Sequence, residues 1–258
     1  MNEISLRDVG KMLAQARHQA RCDVGIDGRL VATMDEAETV RAVATELFDE
    51  PIAGYKIGAT SPEAQKIMGC TEPFYAPIFA SAILPSGCEY ATPEGFLGVE
   101  GEFAFVLSED LPAHKAPFGT DDIASAVASC HAALELLARR SAGPGIPSLF
   151  LAIADMGLNA ANILADPAPD WRDADLAATE VRAFVDGVAD NSGWGRNAMD
   201  GPLNALAWLA AKLAGEGDYL RAGQTILTGT CLGVIAAQKG SLVEVDFGWL
   251  GRVDVRLA

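Results

Sequence analysis

The stretch Val99-Glu100-Gly101-Glu102-Phe103-Ala104-Phe105 places two acidic residues inside an apolar run of this 258-residue sequence. Residues 102–107 are predicted to form a largely buried strand, and on a strand residues two apart share a face. Glu100 and Glu102 would therefore present paired carboxylates, whereas Gly101 leaves the opposite face open. Because such close like charges repel, water, a Lys or Arg side chain, or a hard divalent cation such as Mg²⁺ or Mn²⁺ must neutralise them. A solvated strand edge is the structural alternative.

A third acid, Glu135, interrupts the apolar run Ala132-Ala133-Leu134-Glu135-Leu136-Leu137. A charge in a buried segment is costly unless it is paired, so Glu135 requires a partner. An ion pair with Arg139, four residues later on a helix, is the structural alternative. The functional alternative is a third metal ligand, and His131 stands at a spacing that would let it share the same ion.

Lys56 lies in the short apolar strand Tyr55-Lys56-Ile57, between Gly54 and Gly58. Lysine is rarely buried without an opposite charge. Its side chain therefore either extends outward to solvent or faces an acidic site or an anionic substrate.

Two further polar positions have both a functional and a structural interpretation. Asp155 follows the apolar run Leu151-Ala152-Ile153-Ala154 and is either a functional acid or a turn former. Thr228-Gly229-Thr230 offers two hydroxyls and a close backbone approach, which is also ordinary loop chemistry. The sequence alone leaves both alternatives open.

Hydrophobic periodicity, caps and turn residues predict an α+β fold with a helical segment at residues 1–53 and a sheet-rich body at residues 54–258. The Asp186-Gly187 pair marks a hairpin turn, and Pro202 opens a helix. Predicted helices span residues 4–22, 33–48, 62–68, 120–129 and 203–213. Predicted strands span residues 55–58, 102–107, 181–185, 225–227, 243–247 and 252–257.

Charge and composition exclude several classes of protein. The chain has 19 Lys and Arg against 35 Asp and Glu, a formal net charge of −16, which disfavours binding to nucleic acid or to an anionic membrane. The sequence has neither a secretory leader pattern nor an apolar run of membrane-spanning length, so we expect a cytoplasmic location. The five cysteines form no C-x-x-C pair, which favours reduced thiols over a disulfide framework or a zinc site. Nucleotide-binding glycine motifs are also absent.

The order of these motifs resembles one enzyme family. The run Gly54-Tyr55-Lys56-Ile57-Gly58-Ala59-Thr60-Ser61 precedes the E-x-E strand, and Leu134-Glu135 and Ala154-Asp155 follow it. Two runs near the end complete the set, namely residues 201–209 and 220–230. Together they resemble the 2-keto-4-pentenoate hydratase and 4-oxalocrotonate decarboxylase family, within the fumarylacetoacetate hydrolase superfamily.

The resemblance implies a mixed β-roll of the fumarylacetoacetate hydrolase C-terminal type with a helical N-terminal segment. It further implies a metal-dependent lyase, most simply a hydratase of 2-hydroxypenta-2,4-dienoate-like acids from aromatic meta-cleavage, that binds Mg²⁺ or Mn²⁺. A homo-oligomer is implied, with a heteromer with a related enzyme as an alternative. The implied metal ligands are Glu100, Glu102 and Glu135; the catalytic residues are Lys56, Arg140 and Asp155; and the substrate-binding residues are Thr60, Ser61, Thr228 and Thr230.

The sequence departs from the family pattern at two places. Family members commonly carry Pro-Asp-Phe-Gly after the first helix of the body, whereas here Glu72-Pro73-Phe74-Tyr75-Ala76 puts Phe74 where the acid belongs. The run that begins at Glu135 keeps only that glutamate and the final Arg140. The alternatives are therefore decarboxylation of a 2-oxo dioic acid, carbon–carbon hydrolysis, and a non-catalytic scaffold or partner subunit.

Overall fold

Helices and strands alternate irregularly along the computed structural model of the chain, which describes residues 4–258. The helices are α1 (Leu6–His18), α2 (Met34–Phe48), α3 (Pro62–Met68), α4 (Thr120–Ala126), α5 (Leu149–Ala154) and α6 (Pro202–Gly215). The strands are β1 (Ile52–Gly58), β2 (Phe74–Phe79), β3 (Ile83–Pro85), β4 (Cys88–Tyr90), β5 (Phe96–Leu107), β6 (Val127–Ala138), β7 (Asn159–Leu164), β8 (Glu180–Val185), β9 (Val188–Trp194), β10 (Thr225–Ile235), β11 (Leu242–Asp246) and β12 (Arg252–Leu257). The predicted α+β class is confirmed.

Two mixed sheets form the body. The larger has seven strands in the order β2-β1-β10-β5-β6-β7-β3, and the smaller has five in the order β4-β12-β11-β8-β9. Most neighbours are antiparallel, but β1 pairs with β10 in parallel, as do β3 with β7 and β12 with β4. Strand β5 thus lies in the interior of the larger sheet, between β10 and β6, so the solvated-edge alternative for its glutamates is wrong.

The two faces of β5 lie in different surroundings. Phe103 and Phe105 project into the main core, which the larger sheet shares with the smaller sheet and α6. A Cβ on Gly101 would lie 3.0 Å from Val245 of β11, so this face is packed rather than open as predicted. The opposite face carries Glu100 and Glu102. Burial of the aromatic face therefore fixes where the two carboxylates point.

Helices α1 and α2 pack together over a second core, which also contains Phe79 of β2 and apolar residues of α5. Ser5 and Thr33 cap the two helices through capping boxes. Helix α1 ends at His18, before the predicted end at residue 22, and Ala20 takes a left-handed conformation (φ 50°) that stops it.

Another difference from the sequence prediction lies after α4. This helix ends at Ala126 rather than at residue 129, and β-branched Val127 adopts an extended conformation that begins β6. The apolar run around Glu135 is therefore a strand and not a helix. No helix of residues 4–258 combines the length and apolar character that a membrane span requires.

Candidate metal centre

Three carboxylates converge on one face of the larger sheet. Alternation along β5 brings Glu100 and Glu102 to the same face, and the pairing of β5 with β6 sets Glu135 opposite Glu100. One oxygen from each of the three side chains lies within 4.8 Å of the others. A single ion can therefore contact all three.

The side chains of Glu102 and Glu135 are fully buried and each is oriented by one N–H donor. The backbone N–H of Gly229 donates to Glu102 Oε2 at 2.7 Å, and the side-chain amide of Asn159 donates to Glu135 Oε1 at 2.9 Å. Gly229 has φ 98°, and a Cβ there would overlap the side chain of Thr60. Only glycine can bring its N–H to Glu102 in this position.

Lys56 is the counter-charge of the cluster. Its side chain is almost fully buried, and its Nζ lies 3.0 Å from Glu135 Oε2. The outward orientation considered for Lys56 is therefore wrong, because the ammonium faces the acidic group. One ammonium among three carboxylates leaves a net negative charge in a buried place.

The shared charge changes the acidity of the group. Burial lowers the pKa of Lys56, but attraction to Glu135, Glu100 and Glu102 outweighs it, so the pKa is raised. Burial raises the pKa of Glu100 to about 7, against the opposing effect of Lys56. Burial, with repulsion from Glu135 and Glu100, also raises the pKa of Glu102 well above its usual value. The negative excess is therefore unfavourable as it stands.

Two oxygen atoms at this centre lack hydrogen bonds. Among buried side-chain atoms of residues 4–258, Glu102 Oε1 has no hydrogen-bond partner, and neither has Glu135 Oε2, although the latter has the Lys56 ammonium beside it. Unpartnered buried carboxylate oxygens are costly unless a cation takes them as ligands. The three oxygen donors fit a hard divalent ion such as Mg²⁺ or Mn²⁺.

The centre opens into a cleft of about 1130 Å³. Lys56 and Glu100 line the cleft, whereas Glu102 and Glu135 lie behind them. The cleft lining also includes Asn191 of β9 and Arg196 of the turn after it. The site therefore combines a buried anionic end with an open space large enough for a small organic acid.

Three of the four predicted substrate-binding residues line this cleft, namely Thr60, Ser61 and Thr230. The Ser61 hydroxyl accepts a hydrogen bond from Ala64 N at 3.1 Å and caps α3. Thr228 is fully buried outside the lining, and its hydroxyl donates to the Phe103 carbonyl at 3.1 Å. The structure therefore places Thr228, which was predicted to bind substrate, outside the cleft, with its hydroxyl hydrogen-bonded within the sheet.

Phe74 forms part of the cleft wall beside the ammonium. The Lys56 Nζ lies 5.7 Å from the centre of the Phe74 ring. A Cβ on Gly58 would overlap that ring, so this glycine makes the room that Phe74 occupies. The position where the family pattern has an acid is thus filled by an aromatic ring in contact with the cationic group.

Arg140 and Asp155 do not line the cleft. Their buried side chains pair with each other, with Arg140 Nη1 3.3 Å from Asp155 Oδ1, and Asp155 Oδ2 accepts from the Arg140 backbone N–H at 2.7 Å. Burial raises the pKa of Asp155, although Arg140 opposes the change. The structure therefore brings this pair together away from the cleft in which a substrate would lie.

Two other sequence-based alternatives for Glu135 are wrong. Because residues 127–138 form a strand, Arg139 does not pair with Glu135; its guanidinium donates to carbonyls of the following loop, including Ser141 and Ala142. The His131 ring is hydrogen-bonded to Ser129 and to the Ala165 carbonyl. The partner of Glu135 is Lys56, from a distant part of the sequence.

Asn159 and Arg17 are two residues near the site that were not predicted from the sequence. Asn159 is fully buried, and its backbone carbonyl accepts from Arg140 Nη2 at 2.6 Å and from Arg17 Nη1. The only signal in the sequence is a pair of asparagines, Asn159 and Asn162, in an otherwise apolar strand. Arg17 gave no signal, because an arginine on an amphipathic helix is ordinarily solvent-facing.

Comparisons with known proteins find relatives over most of the chain. Residues 58–258 match the model of the fumarylacetoacetate (FAA) hydrolase C-terminal family. The chain is 34% identical over 209 residues to a 2-keto-4-pentenoate hydratase of Burkholderia vietnamiensis (strain G4 / LMG 22486), covering 79% of this chain and 77% of the relative. It is 31% identical over 212 residues to a 2-oxo-hept-4-ene-1,7-dioate hydratase of Escherichia coli, covering 80% and 78% of the two chains.

The fold is also similar to that of a solved enzyme. The structure of 4-oxalocrotonate decarboxylase from Pseudomonas putida G7, complexed with magnesium and adipate, superposes with a TM-score of 0.87. The two chains are 21% identical, and the match covers 98% of this chain and 97% of the other. At this identity the likeness concerns the fold.

Proposed function

The chain belongs to the fumarylacetoacetate (FAA) hydrolase C-terminal family, and on that premise we propose that it is a metal-dependent lyase that hydrates 2-hydroxypenta-2,4-dienoate-like acids. The observation that carries the proposal is the convergence of three carboxylates, two of them fully buried and that of Glu100 half-buried, beside an open cleft. The curated relatives named as hydratases support the same reaction class.

Glu100, Glu102 and Glu135 would hold the cation, since their oxygen atoms are close together and two of them lack hydrogen bonds. When bound, Mg²⁺ or Mn²⁺ supplies Lewis acidity to the carboxylate and 2-oxygen of a 2-oxo acid and favours its enolate form. The donor set does not discriminate between these two ions.

Lys56 is the residue we assign to proton transfer. Its ammonium lines the cleft, and its raised pKa keeps it protonated at neutral pH. It can therefore pair with a substrate carboxylate or hold the proton that ketonisation of a dienol requires. The Phe74 ring beside it keeps water from one side of that ammonium.

A second candidate reaction is decarboxylation of a 2-oxo dioic acid. Arg196 favours it, because a guanidinium on the cleft wall suits a second substrate carboxylate. Its guanidinium carbon lies 4.4 Å from the centre of the Trp194 ring, which supports the side chain. The decarboxylase with the similar fold is complexed with adipate, a dicarboxylate.

Product analysis separates the two reactions. Purified protein with Mg²⁺ should consume 2-hydroxypenta-2,4-dienoate with loss of the diene absorbance and a product heavier by one water. Release of CO₂ from a 2-oxo dioate instead would identify the decarboxylase. Metal binding without turnover of either substrate would indicate a non-catalytic scaffold or partner subunit.

Lys56→Met tests the assignment of the ammonium. We expect kcat/KM to fall by about 10²-fold or more, the typical contribution of a positioned acid or base. Lys239→Met, at an exposed position outside the cleft, is the matched control and should leave kcat/KM unchanged. Equal activity of the two variants would contradict the role of Lys56.

A further inference from the structure

A continuous set of hydrogen bonds joins the N-terminal helix α1 to the carboxylate cluster. Arg17 of α1 donates to the Asn159 carbonyl, and Asn159 donates through its side-chain amide to Glu135 Oε1 at 2.9 Å. Arg140 donates to the same carbonyl at 2.6 Å. Arg17 precedes the residues 58–258 that match the family model, so it belongs to a part of the chain that the model does not describe.

The side chain of Asn159 is held in one orientation. Its Nδ2 donates both to Glu135 and, at 2.8 Å, to Asn162 Oδ1, so both amide hydrogens are used. Asn162 lies opposite Glu135 in the β6–β7 pairing. Because Oε1 of Glu135 is bound by this amide, Oε2 is the oxygen that lies beside the Lys56 ammonium and has no hydrogen-bond donor of its own in the described part of the chain.

The backbone of Asn159 is held as firmly as its side chain. Two guanidinium groups share its carbonyl oxygen, and both are anchored elsewhere. Arg140 is paired with Asp155, and the Arg17 guanidinium lies against two neighbouring aromatic rings, 5.1 Å from the centres of Phe48 and Phe79. Burial, with repulsion from Arg140, lowers the pKa of Arg17 to about 9, so Arg17 is still charged at neutral pH.

From this geometry we infer that Asn159, fixed by Arg17 and Arg140, is a positioning residue that sets the orientation of Glu135 as a metal ligand. The inference rests on the proposed metal site. It gives the helical N-terminal segment a role in the chemistry of the sheet-rich body. Partners that orient a metal ligand typically change metal affinity by about 10- to 100-fold when they are removed.

Titration of the metal-free protein with Mn²⁺, followed by the electron paramagnetic resonance signal of the free ion, measures the predicted effect without turnover. Asn159→Leu keeps the approximate volume and removes both amide donors. Arg17→Met keeps a long apolar side chain against the two rings and removes the guanidinium. We expect the Mn²⁺ dissociation constant to rise by about 10- to 100-fold in Asn159→Leu and by about tenfold in Arg17→Met.

Arg21→Met is the matched control, because Arg21 is exposed and lies one turn beyond Arg17 near the same end of α1. It should bind Mn²⁺ like the wild type, and Arg17→Lys should recover part of the affinity lost in Arg17→Met. Circular dichroism confirms that each variant is folded at the temperature of titration. If Asn159→Leu does not fold, the Arg17 series decides alone.

The possible outcomes distinguish an error in the proposed metal site from an error in the proposed positioning role. If the wild-type chain binds no Mn²⁺, the metal site is wrong and the positioning role falls with it. If the wild type binds Mn²⁺ and the folded Arg17→Met and Asn159→Leu variants bind it with the same dissociation constant, the positioning role alone is wrong. A lower melting temperature with unchanged Mn²⁺ affinity would likewise show a merely structural role.

Discussion

Two buried ionic groups lie on either side of Asn159, and they handle their charge in opposite ways. In the carboxylate cluster (Lys56, Glu100, Glu102 and Glu135), three acids share one ammonium. In the arginine cluster (Arg17, Arg140 and Asp155), two guanidiniums donate to the Asn159 carbonyl, and the one carboxylate pairs with Arg140. Both groups therefore carry an excess of one sign inside a protein whose overall charge is −16.

The difference lies in how the excess charge is solvated. The guanidiniums of the arginine cluster donate to backbone carbonyls, those of Ala138 and Asn159. In the carboxylate cluster, by contrast, Glu102 Oε1 has no partner and Glu135 Oε2 has only the ammonium. A buried charged group that is hydrogen-bonded stabilises the fold. A buried carboxylate whose oxygens lack hydrogen bonds is instead available to bind a cation.

The largest effect is expected from Glu102→Gln. The substitution keeps the shape and the acceptor for the Gly229 N–H but removes a metal ligand, so we expect kcat/KM to fall by about 10³-fold. The same change removes repulsion within the carboxylate cluster. The metal-free variant should therefore be more stable than the wild type, by about 1–2 kcal/mol in chemical denaturation.

Glu46→Gln, at an exposed position on α2, removes a negative charge without touching either cluster and is the control for net charge. It should change neither activity nor stability measurably. A metal-free Glu102→Gln variant that is less stable than the wild type would show that the carboxylate cluster is structural, like its neighbour.

The opposite response is expected in the arginine cluster. Asp155→Asn leaves the buried Arg140 guanidinium without its carboxylate and removes the attraction of Asp155 for Arg17, and we expect the free energy of unfolding to fall by about 3 kcal/mol. Asp218→Asn provides the control, because its ion pair with Arg221 is exposed and should contribute less than about 1 kcal/mol. Urea denaturation measures both. If the free energies of unfolding of Asp155→Asn and Asp218→Asn were equal, the arginine cluster would not stabilise the fold as we expect.

A smaller effect concerns pH. Burial raises the pKa of Glu100 to about 7, so this carboxyl holds a proton at pH 6 that a cation must displace, and the raised pKa of Glu102 acts in the same direction. The affinity for Mn²⁺ should therefore increase from pH 6 to pH 8, by about tenfold per pH unit for each proton displaced. Isothermal titration in buffers of different ionisation enthalpy counts those protons. An affinity independent of pH over this range would mean that the carboxylates are already ionised and compensated.

Local sequence rules account for much of the fold. The capped helix at Thr33, the hairpin turn at Asp186-Gly187 and the helix opened by Pro202 all occur where turn and cap chemistry predicts them. The predicted end of α4 is wrong, because helix propensity takes no account of the strand pairing in which Val127 takes part.

In the candidate site, too, local sequence predicts some features, whereas others depend on long-range pairing. Alternation along β5 is enough to place Glu100 and Glu102 on one face, since it needs only local geometry. The register that sets Glu135 opposite Glu100, and the parallel pairing of β1 with β10 in the same sheet, are long-range choices that one sequence does not encode visibly. Arg17 and Asn159 were out of reach for the same reason, because their contacts join elements far apart in the chain.

An anomalous difference map from crystals grown with Mn²⁺ tests most directly whether Glu100, Glu102 and Glu135 hold one ion. We predict a single strong peak per chain at the carboxylate cluster, with an oxygen atom of each glutamate at about 2.1 Å, the distance typical of a small hard divalent ion. A map with no peak there, or with Mn²⁺ held by other side chains while the three carboxylates keep their present contacts, would contradict it.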